Sequence, residues 1–433
     1  MAIHYDKRRQ ALARLLPINS LAIIPAATEC IRNGDAHYRF RQDSDFYYLT
    51  GFDEPDAVLL VIAGETGHSV LFNRPRALQE EQWTGPRLGQ DNAPAVLGVD
   101  EAFELSSFES SLPSYLVGKQ AIYYPVGRHP AYEASVFRAW QVVKTQGRRG
   151  LATPTCVTDL SSILGEMRVI KSADEMALMR EAARISVLAH VRAMRACRGL
   201  KTEHELEAEI LYTLVREGCR DTAYDSIVAS AEHACVLHYT ANNASLDPAG
   251  LVLIDAGGEF GHYAADITRT FPVNGRFDKH QRLIYALVLR AQQAGIACVK
   301  PGCRWDLIQQ TIVRVLTEGL VELEILVGKV DDLIEQEAYK PFYMHSSGHW
   351  LGLDVHDVGA YRINGVWRTL EPGMVLTVEP GLYISKTMEQ VDPVWRGIGV
   401  RIEDDILVTA TGHENLTKDL PVEIDAIEDL LRA

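Results

Sequence analysis

Four carboxyl side chains and one imidazole stand in short, distinctive sequence contexts in the second half of the chain. They are Asp255 in Leu-Ile-Asp-Ala-Gly, Asp266 in Ala-Asp-Ile-Thr-Arg-Thr-Phe, His349 in His-x-x-Gly-His-x-x-Gly, Glu379 in Val-Glu-Pro-Gly and Glu403 in Arg-Ile-Glu-Asp-Asp. If these side chains converge on one cavity, cations must neutralise them, because burying unpaired like charges is strongly unfavourable. The pattern therefore indicates a metal site.

The donor set also indicates which metal such a site would bind. Oxygen-rich ligation with one nitrogen and no thiolate suits a hard divalent ion such as manganese better than a structural zinc ion. Shared carboxylates would hold two such ions close together. Each residue alone has an ordinary explanation, since an aspartate at a strand end is usually a turn or cap residue. The eleven-residue spacing of Asp255 and Asp266 across a predicted hairpin favours the metal site.

Two residues near these motifs have simpler predicted roles. Asp404, which follows Glu403, is expected to be a solvated strand end. Cys235 lies three residues before His238 and offers an alternative, thiol nucleophile. No third group that would orient such a pair is evident, so Cys235 is predicted to be a small buried hydrophobic residue.

Length and composition predict a globular protein of two domains, since 433 residues with 47% apolar content can bury two cores. The net charge of −15, with no run of Lys or Arg, disfavours nucleic acid and anionic membranes as partners. The seven scattered cysteines are typical of a reducing cytoplasm. Residues 1–16 predict an amphipathic helix rather than a secretory signal, and no apolar segment reaches transmembrane length.

The first part of the chain alternates short β-rich runs with a helical segment, which predicts a small α/β domain. The runs cover residues 21–24, 57–63, 69–72 and 121–124, and the helix covers 132–143. Residues 146–154 are rich in Gly, Arg and Pro and are predicted to be a linker. With a connecting helix after it, the domains are expected to be 1–170 and 171–433.

Capping boxes predict two helices at the start of the second domain. They are formed by Ser172 with Glu175 and by Thr202 with Glu205. An apolar run, a Gly-rich turn and a second run through Asp266 then predict a β-hairpin.

The same order recurs further along the chain. Helices are predicted from about Lys279 and Arg304, followed by strands carrying Glu379 and Glu403. The segment 250–255 is also similar to the segment 373–379. This pattern favours a duplicated helix-helix-hairpin unit whose two hairpins face each other across the metals.

Together these motifs resemble the pita-bread metallopeptidases, the fold shared by methionine aminopeptidase, prolidase and aminopeptidase P. The segments His37-Tyr-Arg-Phe-Arg-Gln-Asp-Ser-Asp-Phe-Tyr-Tyr-Leu-Thr-Gly-Phe52 and Trp83-Thr-Gly-Pro-Arg-Leu-Gly89 are similar to bacterial aminopeptidase P in particular. The resemblance covers nearly the whole chain. It implies an α/β amino-terminal domain, an α+β pita-bread catalytic domain and the removal of an amino-terminal residue that precedes proline.

The resemblance also implies a role for each motif residue. Asp255 would bind one manganese ion, His349 and Glu379 the other, and Asp266 and Glu403 both. Cobalt or zinc can occupy such a site in vitro. A water between the ions would attack the scissile carbonyl, and Glu379 would carry its proton to the departing nitrogen.

Further residues match the substrate-binding positions of the family. His238 and His356 would stabilise charge on the carbonyl oxygen. The proline subsite would be lined by His345, Tyr383 and Arg401. Where the family often has His-Gly, this chain has Ser346 after His345, so the shape of this loop is expected to differ.

The segment around Trp83 matches a cleft-lining tryptophan of the family, and the resemblance implies a homo-oligomer, a tetramer, whose subunits help to wall the cleft. Phe46, Tyr47 and Tyr48 are predicted to be core residues.

The expected partners are peptides with proline in second position. A prolidase, which cuts only Xaa-Pro dipeptides, is the near alternative, because it shares all five ligands. A non-catalytic pita-bread binding protein and a metal-free, creatinase-like hydrolase are alternatives of other classes. No Gly-x-Ser-x-Gly or Gly-x-Gly-x-x-Gly motif supports a serine hydrolase or a dinucleotide enzyme.

Overall fold

A computed structural model describes residues 3–146 and 150–432 of the protein. The chain packs as two compact units, Met1–Arg168 and Val169–Ala433. The domain limits 1–170 and 171–433 stay a prediction. Residues 147–149 of the predicted linker lie outside the described residues.

Short apolar runs and helices alternate along the amino-terminal unit. Its strands are β1 (Ser20–Pro25), β2 (Ile31–Asn33), β3 (Ala36–His37), β4 (Val58–Ile62), β5 (His68–Asn73), β6 (Glu101–Glu104), β7 (Ala121–Tyr124) and β8 (Cys156–Asp159). Its helices are α1 (Tyr5–Leu15), α2 (Ser44–Thr50), α3 (Leu78–Thr84), α4 (Gly89–Leu97), α5 (Phe108–Leu116), α6 (Pro130–Gln146) and α7 (Ser161–Val169).

One mixed sheet of this unit has the strand order β6-β5-β4-β1-β7-β8. Strand β1 pairs antiparallel with β4 and parallel with β7, and all its residues are buried. A strand that is buried on both faces is typical of a sheet covered by helices. The four predicted β-rich runs form β1, β4, β5 and β7, and the predicted helix is α6, so the α/β class of this domain is confirmed. Phe46 and Tyr48 are buried as predicted, and Tyr47 is half-buried.

Pairs of helices followed by antiparallel strands build the carboxy-terminal unit. Its helices are α8 (Ala173–Ala196), α9 (Glu203–Glu217), α10 (Lys279–Cys298), α11 (Trp305–Glu322), α12 (Val330–Glu335) and α13 (Ile424–Arg432). Its strands are β9 (Asp221–Thr222), β10 (Ile227–Ser230), β11 (Leu251–Asp255), β12 (Gly258–Phe260), β13 (Tyr263–Ala264), β14 (Thr268–Pro272), β15 (Arg362–Ile363), β16 (Val366–Trp367), β17 (Val375–Val378), β18 (Gly381–Ile384), β19 (Ile398–Arg401), β20 (Asp404–Val408) and β21 (His413–Asn415).

The helices of this unit begin where the sequence signals predict. Capping boxes start α8 at Ser172 and α9 at Thr202, and a third, with Asp278 as the cap, starts α10. Such boxes satisfy backbone amides that have no partner within the helix. Helix α8 packs against α9, and α10 packs against α11. No helix in the described part of the chain combines the length and apolarity needed to cross a membrane.

The strands that follow the two helix pairs meet at a backbone bridge. Strand β11 pairs with β14, which places Asp255 opposite Thr268, and β17 pairs with β20, which places Val378 opposite Asp404. An isolated bridge between Thr268 and Glu403 joins these two sheets. The helix-helix-hairpin order predicted from the sequence is therefore present twice.

Glu379 and Glu403 lie just outside the strands that the sequence predicts to carry them. Strand β17 ends at Val378, and the residue after Glu379 is Pro380, which has no N–H to donate to a ladder. Glu403 precedes β20, and its N–H donates to the carbonyl oxygen of Thr268 at 3.1 Å. Both carboxylates are thus placed where a strand gives way to an irregular segment.

Candidate functional site

All five residues with predicted ligand side chains line one cavity of about 710 Å³ in the carboxy-terminal unit. Asp266, His349 and Glu403 each offer one ligand atom, and these three atoms lie within 4.8 Å of one another. The Nε2 atom of His349 lies 3.3 Å from Oδ2 of Asp266 and 3.6 Å from Oε1 of Glu379. The fold therefore brings together residues that the sequence marks only as separate motifs.

Tyr224 joins the two aspartates of this group. Its hydroxyl oxygen lies 2.6 Å from Oδ1 of Asp255 and 2.5 Å from Oδ1 of Asp266. A phenol has a single proton to donate, so only one of these carboxylates can accept it at a time. In the other contact, lone pairs of the phenol oxygen and of the carboxylate oxygen face each other and repel. A nearby cation would offset this repulsion.

Burial and mutual repulsion oppose the ionisation of these acids. Burial and the charge of Asp266 raise the pKa of Glu403 well above its ordinary value, and burial above all raises the pKa of Glu379 to about 7. Burial also raises the pKa of Asp255. Burial acts in the same direction on Asp266, but the hydrogen bond and charge of His349 bring the pKa of Asp266 below its usual range. Divalent cations would relieve the repulsion that protons otherwise relieve.

His349 has the orientation of a metal-binding histidine. Its Nδ1 lies 2.9 Å from the carbonyl oxygen of Trp350 and must therefore carry a proton, which leaves Nε2 facing the carboxylates. Metal-binding histidines commonly donate their other ring N–H in this way. Burial lowers the pKa of His349, yet Asp266 and Glu379 raise that pKa to about 9. The carboxylates of Asp266 and Glu379, which attract the proton of His349, would attract a metal cation in the same way.

The donor set fits hard divalent ions. The cavity lining contains the four predicted carboxylate ligands, a fifth carboxylate from Asp225 and the His349 imidazole, and none of the described cysteines lines it. Oxygen-rich sets of this kind are typical of manganese and magnesium sites rather than of structural zinc sites.

Arg401 is a cation that the chain itself supplies beside the acids. The residue is buried, and its Nη2 donates to Oδ2 of Asp255 at 2.6 Å while Nε donates to Oγ1 of Thr268 at 3.1 Å. The hydroxyl of Thr268 in turn donates to Oε2 of Glu403 at 2.6 Å. One guanidinium offsets only part of the charge of four carboxylates.

Tyr383 connects Arg401 to His345. Its hydroxyl accepts from Nη1 of Arg401 at 3.0 Å and donates to Nε2 of His345 at 2.8 Å, while Nδ1 of His345 donates to the carbonyl oxygen of Ser346 at 2.8 Å. Burial and then the charge of Arg401 lower the pKa of His345 to about 4. His345 and Arg401 line the cavity, whereas Tyr383 is buried behind its wall.

His238 and His356 form an outer part of the cavity lining, where both residues are exposed. The ring of His356 packs edge-on against that of His349, with centroids 4.4 Å apart. Burial and then the charge of His349 lower the pKa of His356, which favours its neutral imidazole. A neutral imidazole can donate one hydrogen bond to a substrate.

Three further predicted residues differ in their surroundings. Trp83 lies on α3 in the amino-terminal unit and is 90% exposed, and its role in a cleft stays a prediction. Ser346 lines the cavity beside His345. Cys235 is half-buried, and burial raises the pKa of its thiol to about 12, which does not suit a nucleophile.

The prediction that Asp404 is a solvated strand end is wrong. The residue is 2% exposed, and its carboxylate accepts hydrogen bonds from Arg269 at 2.7 Å, Gln292 at 2.6 Å and Thr417 at 2.6 Å. These partners come from distant parts of the sequence, so the local pattern could not reveal them. Asp404 supports the segment that carries Glu403.

Sequence reasoning also missed Tyr224, Thr268 and Asp405, which hold the predicted ligands in place. Oδ2 of Asp405 accepts the backbone N–H of Asp266 at 3.1 Å. The motif places Thr268 two residues after Asp266, a spacing that puts side chains on one face of an extended segment and could have indicated it. Tyr224 stands in no motif that would single it out.

Known proteins resemble this chain along almost its whole length. The model of metallopeptidase family M24 matches residues 177–410, and that of the aminopeptidase P N-terminal domain matches residues 5–123. The Xaa-Pro aminopeptidase of Escherichia coli strain K12 is 46% identical over 431 residues, which cover 99% of this chain and 97% of that protein.

Solved structures show the same likeness. The structure of Pseudomonas aeruginosa aminopeptidase PepP has a TM-score of 0.96 at 48% identity, covering 99% of this chain and 97% of that one. Zn-substituted Escherichia coli aminopeptidase P in complex with product has a TM-score of 0.96 at 46% identity, covering 100% and 99%. The chain belongs to metallopeptidase family M24, and its amino-terminal part belongs to the aminopeptidase P N-terminal domain family.

Proposed function

We propose that this protein is a metallopeptidase that releases the amino-terminal residue of peptides whose second residue is proline. The proposal rests on the ligand atoms of Asp266, His349 and Glu403, which lie within 4.8 Å of one another in one cavity. It rests equally on the full-length similarity to a protein named Xaa-Pro aminopeptidase.

The proposed cofactor is a pair of manganese ions. Asp255 is assigned to one ion, His349 and Glu379 to the other, and Asp266 and Glu403 to both. Zinc or cobalt can take the same donors in vitro, and one similar structure is Zn-substituted. Such a pair, when bound, polarises the scissile carbonyl and lowers the pKa of the attacking water.

The groups of the chain itself orient the peptide and move the proton. Glu379 receives the proton of the attacking water and passes it to the departing nitrogen. His238 and His356 donate hydrogen bonds to the carbonyl oxygen as negative charge develops there. Their exposed positions in the cavity lining leave their ring nitrogens open to the substrate.

The proline subsite is assigned to the wall formed by His345 and Arg401, with Tyr383 behind it. The nitrogen of a proline residue carries no hydrogen, so such a subsite selects its substrate by shape and not by a hydrogen bond to that nitrogen. Tyr383 donates a hydrogen bond of 2.8 Å to His345 and accepts one of 3.0 Å from Arg401, which favours one conformation of this wall.

We further propose a homo-oligomer, a tetramer, that works in the cytoplasm on peptides and not on nucleic acid or membranes. All seven cysteines are free thiols, which suits a reducing compartment. From the resemblance of its motifs to the pita-bread metallopeptidases, we also propose that the catalytic domain has the pita-bread fold.

Replacing Glu403 by glutamine should remove metal and most activity. Glutamine keeps the shape of the side chain but takes a negative charge from both proposed ions. Replacing a residue that only hydrogen-bonds to a metal ligand typically lowers metal affinity or activity by about 10–100-fold. Because Glu403 is itself a proposed ligand, we expect kcat/KM to fall by at least about 100-fold. Metal content by mass spectrometry should fall with it. The control Glu414→Gln, which alters an exposed ion pair with Arg180, should change neither value. Normal turnover and metal content in Glu403→Gln would refute the shared-ligand assignment.

Replacing His356 by alanine should lower kcat by about 100-fold or more while the metal content stays unchanged, because one donor to the transition state is lost. The variant His204→Ala serves as the control, since His204 is exposed and lies outside the cavity lining. Loss of the metals from His356→Ala would show that the residue is a ligand instead.

A substrate panel tests the function itself. The metal-loaded enzyme should cleave Xaa-Pro-Yaa at least as well as Xaa-Pro, and it should cleave Xaa-Ala-Yaa poorly, as initial rates by chromatography would show. Cleavage of the dipeptide alone would identify a prolidase. Equal rates on the alanine and proline tripeptides would contradict a proline subsite.

Replacing Trp83 by alanine should raise KM for Xaa-Pro-Yaa and leave the metal content unchanged, because a wide apolar ring that packs against substrate is lost. Leu78→Ala is a matched control, since Leu78 is 79% exposed on the same helix. An unchanged KM in Trp83→Ala contradicts the cleft role of Trp83.

The quaternary proposal is tested independently. Light scattering of the wild-type protein should give the mass of a tetramer, and the mass of a monomer would contradict the proposal.

A further inference from the structure

The segment between β10 and β11 carries His238 into the cavity lining. The imidazole of His238 makes no hydrogen bond or ion pair with any residue in 3–146 or 150–432, so its position depends on the backbone around it. One end of this segment is tied to β10 by Asn242, which accepts from the N–H of Val228 at 2.9 Å and donates to the carbonyl oxygen of Ser226 at 2.8 Å.

Glu203, the first residue of α9, holds the same segment from the other side. Its carboxylate is completely buried. Oε1 accepts from the N–H of Ser230 at 2.8 Å and from Nδ1 of His233 at 3.1 Å. Oε2 accepts from the hydroxyl of Tyr239 and the N–H of Ala244, each at 2.8 Å. These four donors span residues 230–244, from the last residue of β10 to a point beyond His238.

Two features make this anchor rigid. The rings of His233 and Tyr239 stack with centroids 4.5 Å apart, so the residue next to His238 is held by both a stack and a hydrogen bond. The backbone N–H of Glu203 also donates to the carbonyl oxygen of Ala244 at 3.0 Å. Helix α9 and Ala244 are therefore joined by both a backbone and a side-chain hydrogen bond.

The charge on Glu203 is maintained by its surroundings. Burial alone would raise its pKa, but the hydrogen bonds from Ser230, His233, Ala244 and Tyr239 bring the pKa below its ordinary value. The start of a helix also favours an anion. Helix α9 does not need these contacts as a cap, because Thr202 and Glu205 form its capping box and Glu205 accepts the N–H of Thr202.

We propose that Glu203 is a positioning residue for the reaction, which fixes the segment 230–244 so that His238 faces the substrate carbonyl. The proposal rests on the role of His238 under the proposed function. Glu203 itself does not line the cavity.

Glu203→Gln is the direct test. Each carboxylate oxygen of Glu203 accepts one backbone N–H, so the amide group of glutamine must face one such N–H and break that hydrogen bond, whichever way it turns. We expect kcat on Xaa-Pro-Yaa to fall by about tenfold, the effect of one lost hydrogen bond, with KM and metal content unchanged. Hydrogen exchange should accelerate at the amide of Ser230 or of Ala244, whichever loses its hydrogen bond. The control Glu205→Gln changes a carboxylate at the same helix start and should leave kcat unchanged.

A double-mutant cycle separates positioning from general destabilisation. If Glu203 acts through His238, Glu203→Gln should lower kcat in the wild-type background and have no further effect in His238→Ala. An equal loss in both backgrounds, or no loss in either, overturns the proposal. Tyr239→Phe removes one of the four donors and provides a milder variant, with the same expected dependence on His238, should Glu203→Gln fail to fold. If His238→Ala is fully active, the role of His238 fails first. If His238→Ala lowers kcat while Glu203→Gln and Tyr239→Phe do not, only the positioning role of Glu203 fails.

Discussion

Repulsion between neighbouring carboxylates is the force that the carboxy-terminal unit has to resist. Two unit charges about 4 Å apart repel each other by roughly 4 kcal/mol at the effective dielectric constant typical of a protein. The strand pairs oppose this force with backbone hydrogen bonds, and the Thr268–Glu403 bridge fixes the point where the two sheets meet. Two buried guanidinium groups add opposite charge, since Arg401 pairs with Asp255 and Arg269 pairs with Asp404.

The site has an inner and an outer part with different physical properties. The inner acids are held by buried partners, and the chain of hydrogen bonds from Arg401 through Tyr383 to His345 runs in one direction only, so each group has one defined role as donor or acceptor. The outer histidines, His238 and His356, are exposed. Under the proposed function, the inner part would hold the metals while the exposed outer histidines would contact the substrate.

The sequence could predict the parts of this site that depend on local pattern. Asp255 and Asp266 follow and precede apolar runs, and capping signals define the helices, because both kinds of pattern arise from contacts within a few residues. The apolar run before Glu379 predicts a strand that carries this residue, but the strand ends at Val378 and Pro380 cannot donate to the ladder. Asp404 and Tyr224 could not be predicted, since their roles come from partners such as Gln292 and Asp266 that only the tertiary fold brings near.

The Thr268–Glu403 bridge has a thermodynamic consequence. The proposed ligands come from both sides of this bridge, with Asp255 and Asp266 beside β11 and β14 and Glu379 and Glu403 beside β17 and β20. An unfolded chain holds these donors far apart, so the ions proposed to share Asp266 and Glu403 would bind only the folded state. By mass action, each tenfold rise in free metal above the dissociation constant then adds about 1.4 kcal/mol of stability. With the proposed ions bound, the melting temperature of this protein would rise with the metal concentration around it.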